Sequence, residues 1–248
     1  MQVYILETAA QLGEKAAELT ARKITEAIEA KGKARIVLST GASQFETLEA
    51  LVKHKLDWSK VEMFHLDEYI GLPIEHPASF RKYLQERFID FVGPLHSVHF
   101  VNGEGDLKAN IDHLTKEIRK EDIDVALIGI GENAHIAFND PPADFDTKEA
   151  YIIVNLDEDC KRQQVGEGWF ATIDDVPSQA ISMTVHQIMQ SKTIISSVPR
   201  KVKAKAVYDT LTKLLTNMVP ATMLKEHPDW HLFLDADSAS LIDAGAYR

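Results

Sequence analysis

Short apolar runs alternate along this chain with segments whose apolar positions recur at helical spacing, and this alternation restricts the fold more than any other feature. Strand-like runs occupy residues 3–6, 35–39, 61–66, 97–101, 125–130, 151–155, 193–197 and 231–234. Helix-period segments over 9–30, 44–54, 79–88, 107–119 and 200–215 lie between them. Strands joined through helices pair in parallel, and parallel strands persist only when both faces of their sheet are covered. The expectation is an α/β fold: a doubly wound, mostly parallel, Rossmann-like sheet with helices on both faces, in one domain over 1–248. A hydrophobic content of 45% supplies a full core, and no repeat, low-complexity run or linker interrupts the pattern.

Charge and cysteine usage remove several classes of function. Lys and Arg total 27 against 38 Asp and Glu, a net charge of -11 that repels phosphate backbones. The one tight basic cluster is Arg200, Lys201, Lys203 and Lys205, so no nucleic-acid partner is expected. Cys160 is the single cysteine; it excludes an internal disulfide framework, fits a reducing compartment and is read as a packing residue. The opening MQVYILE carries too short an apolar stretch for a signal peptide or a membrane span. A cytoplasmic protein without a membrane partner is expected, and homo-oligomerisation is left open.

In doubly wound sheets ligands bind beyond the carboxyl ends of the strands, which directs attention to STGAS (39–43), DEYIGL (67–72), GENAHIAFND (131–140) and SVPRKVK (197–203). Gly129, Gly131 and Ala134 have the spacing of a dinucleotide fingerprint, but that motif needs a helix to open directly after it. Pro141 and Pro142 deny it one, and the region about 20 residues on, where a ribose-binding acid belongs, is apolar. The loop instead gathers Glu132, Asn133, His135 and Asp140, groups suited to proton transfer at neutral pH. Asp67 directly follows a strand, so its carboxylate projects from the rigid end of the sheet. In STGAS, Gly41 permits a tight turn, and the backbone amides with the Ser43 hydroxyl suit an anion; Phe45 stands where a nucleophile elbow needs its second glycine. Lys203 shares a helix face with Ala206, Val207 and Thr210, and an inward lysine needs an anionic partner or a route to solvent. His227 and His231 have the spacing of helical metal ligands, but Pro228 breaks that helix; His96 and His99 lack a nearby acidic third ligand. No metal site is expected.

GIGENAHIAFND, FHLDEYIGLPIEHPASF, LSTGAS and the Lys203–Ala204 pair together resemble the glucosamine-6-phosphate deaminase (isomerase) family, which also includes 6-phosphogluconolactonases. The resemblance runs from about residue 5 to 241, with the motifs in the family's order. It implies a sugar-phosphate substrate and no required cofactor. It also implies that Asp67 moves a proton between C2 and C1 of the opened sugar, and that His135, supported by Asp140 and by Asn133 or Glu132, opens the ring. Thr40, Gly41, Ala42, Ser43 and Lys203 would hold phosphate, with Arg162 as a second phosphate contact. The chain departs from the family at Asn133 and Ala134, where Asp-Gly is usual, and at Asp140, where Glu is usual. Basic residues of the allosterically regulated members are missing around 150–153, so activation by an N-acetylated sugar is not expected. Residues 73–88 are the candidate lid. The rival readings are a lactone hydrolase on the same scaffold, against which the DEY triplet argues, and a non-catalytic sugar-phosphate sensor.

Overall fold

The computed structural model describes residues 1–247. In chain order the elements are β1 (Gln2–Leu6), α1 (Ala9–Lys31), β2 (Ala34–Leu38), α2 (Phe45–Leu51), β3 (Val61–His65), β4 (Asp67–Tyr69), α3 (Phe80–Leu84), α4 (Asp90–Val92) and β5 (Ser97–His99). There follow α5 (Leu107–Ile118), β6 (Val125–Leu127), β7 (Tyr151–Asn155), α6 (Glu158–Gly166), β8 (Gln179–Met183), α7 (Val185–Ile188), β9 (Thr193–Val198), α8 (Ala204–Thr212) and β10 (Trp230–Asp235).

Seven strands lie side by side in the order β1-β10-β9-β6-β2-β3-β5, every neighbouring pair parallel. Alternate residues of each strand feed opposite cores. Val37, Phe64 and Ala126 pack on one face with Leu114 and Ile118 of α5 and Val207 of α8. Ile36, Leu38, Met63 and Leu127 pack on the other with Leu12, Ala16 and Ile24 of α1 and Leu48 of α2. This two-sided burial is why the strands read as continuous apolar runs. The long helix α1 is capped where its sequence permits: the Thr8 side chain accepts from the Gln11 amide, and Gly32 closes the last turn at a φ of 79°.

From β2 the chain winds outward through β3 and β5, then crosses to β6 and winds the other way through β9 and β10. Strand order therefore reverses between β2 and β6, and the carboxyl ends of those two strands frame the crevice where such folds bind ligands.

Two expectations are corrected. The pattern places the run 151–155 in the parallel sheet, but as β7 it belongs to a separate antiparallel sheet of order β4-β8-β7. Neither β4 nor β8 was anticipated: β4 is three residues long, and β8 (QAISM) buries a polar Ser182 whose hydroxyl is occupied by backbone groups. The helix expected over 200–215 opens as a 3₁₀ turn, Lys201–Lys203, before α8 begins at Ala204. Lys203 sits at that junction.

Candidate active site

Beyond β2, Gly41 takes a φ of 93° and turns the chain into a 3₁₀ turn, Ala42–Gln44, that leads into α2. Two contacts brace this turn from outside and one from within. Arg200 donates to the Ala42 carbonyl at 3.0 Å, Tyr83 Oη donates to the Gly41 carbonyl at 3.0 Å, and Gln44 Nε2 donates to Ser43 Oγ at 2.9 Å. Since Ser43 Oγ accepts that bond, its own proton stays free to donate.

Beyond β6 the chain makes a loop rather than a helix, with Ala134 and Ala137 at positive φ and a one-pair bridge between Ile136 and Asn139. The glycines that mimic a dinucleotide fingerprint serve close packing: a Cβ on Gly131 would fall 2.3 Å from the His135 ring, and one on Gly129 would fall 3.3 Å from Gln44 Nε2. A side chain at 131 would displace the imidazole.

The antiparallel sheet ties this loop to the Asp67 strand. Asp67 is the register partner of Ser182, and the Phe138 amide donates to Ser182 Oγ at 3.0 Å. Asn139 Nδ2 donates to the carbonyls of Ile136 and Met183, both at 2.8 Å. The neighbouring Glu68 is fully buried and accepts from the amides of Tyr69, Phe80 and Arg81 and from Ser79 Oγ. It therefore clamps the DEY turn to the start of α3, inside the segment read as a lid.

Within the loop, Nδ1 of His135 stands 3.0 Å from Oδ1 of Asp140. Asn133 bridges the pair: its Nδ2 donates to Asp140 Oδ1 at 3.1 Å, and its Oδ1 accepts from the His135 amide at 3.0 Å. The imidazole edge is not aligned for a hydrogen bond with Asp140, so the two meet at ion-pair distance. Burial opposes the Asp140 charge, but His135 and the Asn133 amide together hold its carboxyl below the usual range. Asp67 has the opposite bias: burial, reinforced by Glu68 and Asp140, holds its carboxyl well above that range. Two carboxyls in one site are thus pushed apart in proton affinity, a pattern associated with acid–base chemistry.

Asp67 and His135 open onto one cleft of about 490 Å³ including its mouth, with Asp140 behind the imidazole. Thr40, Gly41, Ser43, Asp67, His135 and Lys203 all line it, together with Phe80, Gln163 and Glu167. Lys203 is 5% exposed, and burial draws its ammonium below the ordinary lysine value against the charges of Glu167 and Glu132.

The domain that builds this cleft is found in other proteins. The sequence model described as glucosamine-6-phosphate isomerases/6-phosphogluconolactonase matches residues 7–232. The chain belongs to that family. A glucosamine-6-phosphate deaminase of Clostridium botulinum is 34% identical, with 100% of this chain and 99% of the relative covered. The solved structure of a monomeric glucosamine-6-phosphate deaminase superposes with a TM-score of 0.89 at 30% identity, over 98% of this chain and all of the other. A putative 6-phosphogluconolactonase of Neisseria gonorrhoeae superposes at 0.74 with 22% identity, over 95% and 99% of the two chains, and shares the fold.

Two of the expected site residues, Arg162 and Glu132, lie elsewhere. Arg162 lies on the outer side of α6 with its side chain 54% exposed, paired with Glu158 at 2.5 Å and Asp159 at 2.6 Å, and it does not line the cleft. Its spacing to those acids, three and four residues along one helix, accounts for that orientation. Glu132 is exposed, and Asp140 rather than Glu132 stands beside the imidazole. The Ala42 amide is engaged by Glu167 Oε2 at 3.4 Å. Gln163 and Glu167 were not anticipated, because α6 has too little apolar periodicity to be read as a helix.

His135, Asp140 and Cys160 have ligand atoms within 4.8 Å of one another, but burial and the Asp140 charge push the Cys160 thiol well up, away from the thiolate a soft metal requires. His99 does have acidic neighbours, Glu62 and Glu117, contrary to the sequence reading. Those carboxylates already carry cations, Arg35 at 2.5 Å from Glu62 and Lys120 at 2.5 Å from Glu117. Among the described residues no helix is long and apolar enough to cross a membrane.

Proposed function

We propose that this chain is a glucosamine-6-phosphate deaminase, isomerising an amino-sugar 6-phosphate and releasing ammonia to leave a ketose phosphate. The observation that carries the reading is that Asp67 and His135 line the same cleft as the Gly41–Ser43 turn and Lys203. The sequence and structural likeness to proteins described as glucosamine-6-phosphate deaminases supports it.

In this reading the amides of the Gly41–Ser43 turn, the Thr40 and Ser43 hydroxyls and the Lys203 ammonium hold the phosphate. His135 takes the ring hydroxyl proton and returns it to the ring oxygen, and Asp140 stabilises the imidazolium formed in passing. Asn133 cannot contribute charge; it orients Asp140 and the loop. Asp67 carries the proton from C2 to C1 of the open chain, a transfer suited to a carboxyl that burial has made more basic than usual. As C2 loses its proton the amine gives up one N–H proton and the C1 aldehyde oxygen takes one up, leaving an imine at C2 to which water adds before ammonia leaves. The protein works in the cytoplasm on a small sugar phosphate and does not engage nucleic acid or membranes.

Ammonia release measured over glucosamine 6-phosphate, galactosamine 6-phosphate and 6-phosphogluconolactone tests the assignment. Stoichiometric ammonia and ketose phosphate from an amino sugar are expected. Lactone hydrolysis without ammonia would make the chain a lactonase, and binding without turnover of any of the three would make it a sensor.

A further inference from the structure

We infer that Glu167 is a built-in competitor for the substrate's anionic end: its carboxylate rests on the phosphate seat, and an arriving phosphate displaces it and moves the Trp169 side chain. The inference rests on the sugar-phosphate reading above and concerns how that same seat is regulated.

Glu167 Oε2 accepts from the Ala42 amide at 3.4 Å and from Trp169 Nε1 at 3.0 Å, while Oε1 accepts from Gln163 Nε2 at 2.8 Å. Oε2 also lies 3.7 Å from the point where a Cβ on Gly41 would stand, so the carboxylate sits directly over the glycine of the turn. Lys203 faces the same space and senses the Glu167 charge. A bound phosphate needs that amide and that ammonium. Two anions in contact across a half-buried cleft repel strongly, so one must leave.

The chain around Glu167 is built for a local move. Gly166 and Gly168 flank it, neither with any atom within 4 Å of where its Cβ would be, and Gly168 already adopts a φ of 82°. Cys160 and Gln164, by contrast, are buried, and Gln164 Oε1 accepts from Tyr69 Oη at 2.8 Å, which holds the body of α6 in place. The move is therefore confined to the end of α6 and Trp169. That indole packs edge-on against Phe45 and Tyr83 at centroid distances of 6.4 and 6.1 Å, and it loses its Glu167 acceptor when the carboxylate swings out. A sugar lacking the phosphate has no means of evicting Glu167, so the device adds selectivity for phosphorylated substrates.

Inorganic phosphate is the probe. Calorimetry gives its affinity for the native chain and for Glu167→Gln, and tryptophan emission follows the same titrations, with Trp169→Phe assigning the signal. The expected result is phosphate binding about tenfold tighter in Glu167→Gln, a gain appearing in KM for the sugar phosphate, and an emission change on phosphate binding that Trp169→Phe abolishes. Equal or weaker binding by Glu167→Gln overturns the inference and leaves the sugar-phosphate reading standing. Saturation by calorimetry with no change in Trp169 emission overturns it likewise. Failure of both proteins to bind phosphate overturns the inference together with the reading it rests on.

Discussion

Ser182 is the register partner of Asp67 across the β4–β8 pair, and its hydroxyl at the same time receives the backbone amide of Phe138, three residues beyond His135. One small buried side chain therefore sets the spacing between the two segments that carry the proposed acid–base groups. Ser182→Ala removes the acceptor and leaves the Phe138 amide unsatisfied in the core. The expected cost is about 1–3 kcal/mol of stability by denaturant titration. A fall of about tenfold in kcat, with KM for the sugar phosphate little altered, should accompany it, because the loop no longer holds His135 in register with Asp67.

Asp67→Asn separates function from stability. Loss of the base lowers ammonia release by about 10²–10⁴-fold, measured at substrate saturation. The folded chain holds the Asp67 proton more tightly than the unfolded chain does. What Asp67 contributes to stability is therefore fully present below the ordinary carboxylate range and lost as pH rises through its raised folded value. The asparagine variant escapes that loss. Its Tm should match the native protein only in acid below the ordinary carboxylate range and exceed it by a few degrees at neutral pH, while the native enzyme shows an acidic activity limb set above the usual carboxylate range. A variant no more stable at pH 7 than the parent would contradict the uncompensated burial of this carboxyl.

Asp140→Asn tests the imidazole partner. With the carboxylate gone, the imidazolium loses its counter-charge, and turnover is expected to fall by about 10²–10⁴-fold. The sign of the stability effect is opposite to that at position 67. Asp140 has a depressed folded pKa, so its contribution is present above the ordinary carboxylate range and lost as pH falls through the depressed value. Native and variant should therefore converge in stability only in strong acid, as followed by circular dichroism.

Lys203→Gln and Arg162→Ala distinguish a cleft cation from a solvated one. Replacing the buried ammonium should raise KM about 10–100-fold, with a smaller effect on kcat, as one charge-assisted contact to the phosphate is lost. Arg162→Ala removes only intrahelical surface pairs and should change KM by no more than about twofold. A large KM effect at 162 would return that arginine to the phosphate site.

Legibility in the sequence followed the scale of the forces involved. Val37, Phe64 and Ala126 with their alternating neighbours announce a parallel sheet because nearly every residue of those strands is buried, and apolar burial writes itself into composition. Asp67, His135 and the Gly41–Ser43 turn stand out in the sequence for a similar reason: each follows a strand end and carries unusual chemistry. Glu167 gave no comparable signal. It caps the end of a polar helix among other charges, and nothing local separates a carboxylate that enters a cleft from one that meets water. Arg162 was misread on the same helix for the same cause, since five residues on a helix turn a side chain through more than a full circle.

The chain's own order of residues therefore determined the doubly wound sheet, the loops that flank its switch point and the residue types available for acid–base work. Tertiary structure alone decided which of those residues meet. The antiparallel β4-β8-β7 sheet brings Asp67 to the His135 loop through Ser182, and the end of α6 lowers Glu167 onto the Ala42 amide. The physical reason is one of range. Helical and strand periodicity are local consequences of backbone geometry and burial, whereas a contact between residues 42 and 167 exists only once the core has folded and fixed both backbones within hydrogen-bonding reach.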